Sequence, residues 1–441
     1  MSSHDAHALS REEVLVGIDR PTAPILKTVS IVLAVVGLIV FVVGLWVQPD
    51  RTWQSLLVGW LYFTSISSAG VMFVAVQRIT TARWSRPIIR FLEGYVAFLP
   101  VAFVILLFIL FFGKHHVFWW SNRAPEIHEK AIYLNPPFFF TRVIVIALII
   151  TLLSLWYIYT SVRLDVGITP EGGANWARGL RERMRRGFRD ERRELHSTHS
   201  LQGRLAVSLA FVFGFGWIVL SWDLSMSLDP HFQSTMYGWW FFMGGWVAAL
   251  ASWSLIVMTW RRYLARYDLI QEKHFHDLGK LCFAFTAFWG YITFGQYLVI
   301  WYGNMAEETH WMRLRLIEGW RIPTLLTVGL MFAFPFFGLL SRAAKVFLPT
   351  FVLFASCTIV GLWLTRYLEV YPSIYGPLAN IPLGIWEIGI AAGLLGIWGF
   401  CYLSFMDAFP RVRVLLMTSP YRDEVQVPVD PRTMEPLPAH E

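Results

Sequence analysis

Apolar and polar positions along this chain alternate in long blocks, with little of the short period expected of a soluble fold. Ten apolar stretches of about 20 residues, the length that crosses a hydrocarbon core, can be marked out. They run Thr28–Val47, Gln54–Gln77, Phe91–Gly113, Phe138–Ser161, Gly203–Leu224, Ser234–Trp260, Leu278–Tyr302, Ile322–Leu340, Val346–Leu368 and Leu383–Phe405. Each predicts one transmembrane helix, so the expected fold is an all-α integral membrane protein with about ten spans. Pro100, Pro335 and Pro349 fall inside three of them and are expected to kink those helices. The polar remainder divides the chain into an N-terminal tail (1–27), a membrane domain (28–408) that contains a basic loop (163–203), and a Pro-rich tail (409–441). The first tail lacks the apolar core of a signal peptide, so cleavage is not expected. Within it Ser10 and Glu13 have the spacing of a helix capping box. The last tail has six prolines after Asp407 and no apolar period, which predicts extended chain.

Composition agrees. Hydrophobic residues make up 56% of the 441 and charged ones 15%, more apolar surface than one soluble core absorbs. The three cysteines, Cys282, Cys357 and Cys401, lie far apart in apolar sequence, which argues against a disulfide framework or a paired-cysteine metal site. Charge sets the orientation. The two tails and the loops after the second, fourth, sixth and eighth stretches hold 27 Lys plus Arg, and the opposite loops hold 7. The positive-inside rule then predicts both termini in the cytoplasm. Within the basic loop Trp176, Leu180, Met184 and Phe188 recur every fourth residue, as on a helix lying against an anionic leaflet. Lipid contact explains that charge, and nucleic acid is not an expected partner.

The absent residues narrow the chemistry. All twelve histidines fall in loops, tails or stretch edges, so no span offers a buried axial ligand for haem. With no cysteine cluster either, the chain is expected to bind no metal and no redox cofactor alone.

Two constellations remain. The first is the corner Ser221–Gly238, SWDLSMSLDPHFQSTMYG, where Asp223, Asp229 and His231 sit between two very apolar stretches. Ionisable groups so close to hydrocarbon are tolerated mainly against other protein, trapped water or a substrate path. The second is His276–Thr309, HDLGKLCFAFTAFWGYITFGQYLVIWYGNMAEET, in which helical geometry places Thr286, Thr293, Tyr297 and Asn304 along one line. Such a polar seam is either hydrogen-bonding glue between helices or a wall of a quinone pocket or proton route. Glu307 and Glu308 follow it, and Glu387 lies one turn into the tenth stretch. These carboxylates, with Asp223, Asp229 and His231, could form one external proton exit, and Glu93 or Asp407 could close the cytoplasmic side. The competing reading makes the outer carboxylates hydrogen-bonded staples.

At these two segments the sequence resembles the ActF-type quinone-interacting membrane subunits of bacterial alternative complex III, relatives of the NrfD and PsrC membrane subunits, and the ten-span layout extends the likeness over most of the chain. One departure is Ala306, where the family often has Pro before the Glu pair, so the bend leaving the seventh stretch is expected to differ. The resemblance implies two four-helix bundles with flanking helices in the bacterial inner membrane. It also implies a role in quinol oxidation, with a quinone such as menaquinone as the possible ligand, and in proton translocation beside an ActC-like membrane subunit, with haem c and iron–sulfur clusters held by partner subunits. A stand-alone secondary transporter or ion pathway, or a purely structural membrane anchor, are the alternatives; the matched helix interruptions of inverted-repeat transporters are not apparent.

Overall fold

The computed structural model describes residues 10–18, 20–122 and 130–425. Ten helices in it are long and apolar enough to cross a membrane: α1 (Pro24–Val47), α2 (Pro49–Ile79), α3 (Ile89–Val117), α4 (Pro136–Ile168), α5 (Glu191–Leu228), α6 (Met236–Leu264), α7 (Glu272–Gly303), α8 (Arg321–Gly338), α9 (Leu348–Tyr375) and α10 (Ile385–Ala408). The protein is an all-α, multi-pass membrane protein, with no strand among the described residues. The two ends of the bundle are the basic end, with both tails and the arginine-rich loop, and the corner end, with Ser221–Gly238.

Helices α2 to α5 pack as one four-helix bundle and α6 to α9 as a second, joined through contacts of α2 with α6 and α9 and of α5 with α6. Helix α2 is the central post: its most apolar window is wholly buried, against 17% of that of α1. Helices α1 and α10 flank the bundles as a tight pair. Gly37 and Gly393 meet backbone to backbone, and a Cβ on Gly37 would lie 2.2 Å from the Gly393 Cα. Small residues let helices approach this closely where lipid supplies no hydrophobic drive between them.

Several helices outrun their apolar stretches. Helix α4 runs to Ile168, α5 begins at Glu191 and α9 continues to Tyr375, so the basic loop expected over 163–203 shortens to 169–190. Charge makes the extension possible: Arg163 of α4 pairs with Glu194 of α5 at 2.5 Å where both helices leave the apolar layer. The expected stripe Trp176–Leu180–Met184–Phe188 is not one lipid-facing surface. The helix Arg178–Arg185 is short, and Gly187, at φ +74°, turns the chain so that Phe188 packs on Gly167 of α4. Met184 is buried, and only Trp176 and Leu180 are exposed.

The prolines also act differently from the expected kinks. Pro349 stands in the first turn of α9, where its missing N–H costs nothing. Pro100 follows a 3₁₀ turn (Gly94–Phe98) and Pro335 a π turn (Gly329–Ala333), so the adjustment is a change of helical pitch before the ring. Pro372, which the apolar pattern left outside a span, sits within α9. The capping box at Ser10 and Glu13 is formed. The last tail, beyond Val425, lies outside the described residues.

Candidate functional site

Helix α9 carries Arg366 and Glu369 one turn apart, and both are fully buried. Arg366 Nη1 donates to Glu369 Oε1 at 2.6 Å and Nη2 to the Phe241 carbonyl at 2.8 Å, with the guanidinium 3.3 Å above the Phe241 ring. The corner contributes Ser225, whose hydroxyl lies 3.5 Å from Glu369 Oε2 and 2.6 Å from the Tyr237 hydroxyl. A second cation comes from the short helix Ala306–Leu316 that follows Asn304. Arg315 is buried there and spends its N–H groups on the carbonyls of Trp311, Leu368 and Glu369 and on Ser373 Oγ, at 2.8–3.3 Å. Burial lowers the Arg315 guanidinium to about 10, against the attraction of Tyr237, Asp229 and Glu369, so it is a cation at neutral pH.

Two of these groups, Glu369 and Arg315, face a cavity of about 390 Å³ at the corner end, enclosed by α6, α7, α8, α9 and the short helix. Its walls are mostly aromatic and aliphatic, with Trp240, Trp289, Trp311 and Phe332 prominent; the polar side chains in them are Arg315, Glu369, Thr293, Gln296, Tyr297 and three threonines of α8 and α9 whose hydroxyls bond to backbone carbonyls. Trp240 Nε1 donates to Thr293 Oγ1 at 3.0 Å. The buried Trp289 Nε1 and Gln296 Nε2 have no acceptor among the described residues. Phe294, Tyr297 and Val328 line the cavity yet are 61%, 38% and 42% exposed on the outer faces of α7 and α8, so the cavity opens sideways between those helices. The π turn of α8 falls at this opening, as such turns often do at functional sites. An apolar chamber with a few convergent polar groups is the usual form of a small-molecule site.

The expected site residues are dispersed around it. Thr293 and Tyr297 line the cavity. Thr286 is buried further toward the basic end without a hydrogen-bond partner, and Asn304 is an exposed, left-handed helix cap at φ +46°. The seam is therefore split, its two middle members at the chamber and its ends elsewhere. Asp223 lies in the first bundle, fully buried and held by Arg142 at 2.6 Å and 2.8 Å. Glu387 starts α10, where it accepts from Arg51 twice at 2.8 Å, from Tyr371 and from the Gly384 N–H. Asp229 is buried, His231 and Glu307 are exposed, and Glu308 lines a separate surface recess with Gln233 and Gln296. These groups do not converge on one exit.

At the basic end both expected carboxylates are held by cations. Asp407 accepts from Thr22 and Arg411 and pairs with Lys27 at 2.5 Å. Glu93 is bound by Arg90, Arg413 and Ser161, and Arg90 also holds Asp165. Sequence reasoning missed Arg315, Arg366, Glu369 and Gln296. The available signal was the pair Arg366 and Glu369 at helical spacing, hidden because the apolar stretch seemed to end at Leu368. Among the described residues no three His, Cys, Asp or Glu side chains converge so as to hold a metal ion.

Compared with known proteins, the chain matches no protein-family model and no curated protein. Its function has to be argued from the site.

Proposed function

We propose that this chain is the quinol-contacting membrane subunit of a quinol:electron-acceptor oxidoreductase complex in a bacterial inner membrane. In this reading both termini are cytoplasmic, as the basic bias favours, and the corner end faces outward. The observation that carries it is the lateral apolar cavity with a buried carboxylate, Glu369, and a guanidinium group, Arg315, in its wall, and with Arg366 paired to that carboxylate behind the wall. A quinol enters from lipid by its apolar tail, and its head group needs a flat aromatic chamber with a few polar contacts. Oxidation of a quinol releases two electrons and two protons. In this reading Glu369 takes one proton from a head-group hydroxyl, releases it toward the corner end and then takes the second, with Arg366 and Arg315 balancing the charge that develops. Gln296 Nε2 is free to donate to a head-group oxygen. The electrons pass to haem c and iron–sulfur centres of partner subunits, with an ActC-like subunit beside this one, as the likeness to alternative complex III implies.

An azido-quinone tests this directly. Illuminated with the full chain in membranes, it is expected to label peptides from Phe288–Tyr297 and Met312–Phe332, and unlabelled quinone is expected to protect them. Labelling spread evenly over lipid-facing helices would discard the reading, as would purification in mild detergent of a transport-active chain with no haem- or iron–sulfur-bearing partner.

A further inference from the structure

A second cavity, at the basic end, has no role in the quinol reading. It lies between the last turn of α2, the α2–α3 loop, α5 and the segment after α10, with Gln77, Arg78, Ser85, Arg86, His199 and Arg413 among its walls. It is narrow, about 50 Å³, room for one small oxyanion or a few waters.

Three guanidinium groups line it, and only one has a carboxylate. Arg413 is neutralised by Glu93. Arg78 gives one N–H to the His199 carbonyl at 3.1 Å, and its buried Nε has no acceptor among the described residues. Arg86 gives one to the Leu416 carbonyl at 3.2 Å, and its buried Nη2 likewise has none. No carboxylate among the described residues lies within ion-pair distance of either. Asp423, the carboxylate that acts on Arg86 from further off, is shared between Arg83 at 3.7 Å and Arg422 at 3.5 Å. Burial, with Arg83, Arg422 and Arg413 nearby, pushes the Arg86 guanidinium down from its ordinary value. A cation in the last turn of α2 is favoured by the helix dipole, which accounts for Arg78 alone. It accounts neither for Arg86, which stands in a loop, nor for two guanidinium groups that line one cavity while each keeps a buried N–H without an acceptor among the described residues, which is costly.

We propose that Arg78 and Arg86 form an anion site that takes a phosphate group at the basic end of the membrane domain. Guanidinium forks match phosphate oxygens in charge and geometry. The phosphate has two possible sources, the head group of an anionic phospholipid or free inorganic phosphate.

The test uses the full chain in detergent at constant ionic strength, titrated separately with phosphatidylglycerol, phosphatidylcholine and inorganic phosphate. Adducts are read by native mass spectrometry and stability by thermal melting. The parent is expected to hold one phosphatidylglycerol, or to be stabilised by inorganic phosphate above chloride; whichever arm responds identifies the source. Arg78→Gln with Arg86→Gln should weaken that binding about a hundredfold, since each lost charge-assisted bond is worth roughly tenfold or more, and Arg83→Gln should leave it unchanged. If the double Gln variant does not fold, Arg78→Lys with Arg86→Lys keeps the charge, loses the fork, and should bind about tenfold more weakly. No response to either phosphate, or equal binding by the variants, overturns the site. So does binding that appears only after residues 426–441 are deleted, because the occupant is then the chain's own tail.

Discussion

The membrane domain buries guanidinium–carboxylate clusters at both ends, and they are built to opposite rules. At the basic end Arg90 and Arg413 meet Glu93 and Asp165, two cations for two anions. Every carboxylate oxygen there has a donor, the last being Asp165 Oδ1, which takes the Leu415 N–H at 2.8 Å. At the corner end Glu369 pairs, among the described residues, with Arg366 alone and lines a cavity, while Arg315 binds the Glu369 backbone carbonyl and is attracted by Glu369 and Asp229. Burial of charge is common to both, so burial alone does not distinguish a tether from a reactive group. Access to the carboxylate does. The basic-end cluster keeps Glu93 and Asp165 away from both cavities, with only Arg413 bordering one, and pins α3, α4 and the segment after α10 together, whereas Glu369 stands in a cavity wall, within reach of something that arrives.

Mutation should pull the two clusters apart. The largest effect is expected for Glu93→Gln, which removes the carboxylate shared by two buried arginines. Breaking such a network costs about 3–5 kcal/mol, so the thermal midpoint in detergent should fall steeply or the chain should fail to accumulate. A variant as stable as the parent would end the tether interpretation. Next is Glu369→Gln. Arg366 keeps the Phe241 carbonyl and Arg315 keeps its backbone bonds, so a destabilised chain with a recoverable folded fraction is expected, and on the proposed reading the quinol turnover of that fraction in the assembled complex falls about a hundredfold, within the range for loss of a general base. Unchanged turnover with intact azido-quinone labelling would remove Glu369 from the chemistry. Smallest is Asp223→Asn, in a pair that touches neither cavity. It should cost about 1–3 kcal/mol through the weakened Arg142 contact and leave the turnover of the folded fraction at the parental value across pH. A pH-dependent loss of turnover there would revive a proton role for the corner.

How much of this was legible in the sequence depends on the range of the interaction. Spans follow from apolar length, a local property, and all ten appear within a few residues of their expected places except where charged turns prolong them, as at Glu191 and Ile168. The special corner was legible too, since Asp223 and Asp229 stand out against their surroundings. Its partners were not: Arg142, Arg51 and Arg413 are distant in sequence from Asp223, Glu387 and Glu93, and nothing local announces those pairs. Chamber residues fell between these cases. Thr293 and Tyr297 were found by helical phase, but Gln296, one residue before Tyr297 on a neighbouring face, lay off the line. Arg315 is recruited by a short helix with no clear apolar face, whose docking only the tertiary fold decides.

The Gly37–Gly393 contact has a consequence for biogenesis. Helix α1 emerges from the ribosome first, and its partner α10 emerges last. At about 5–20 residues per second the interval is on the order of tens of seconds. Throughout that time α1 waits in the bilayer with its glycine-bearing face uncovered, while the two bundles beside it are completed. That face is one on which any small-residue helix can dock. A larger residue at Gly37 would therefore act late: the bundles would be inserted and packed, and only the final closure of the domain by α10 would be blocked.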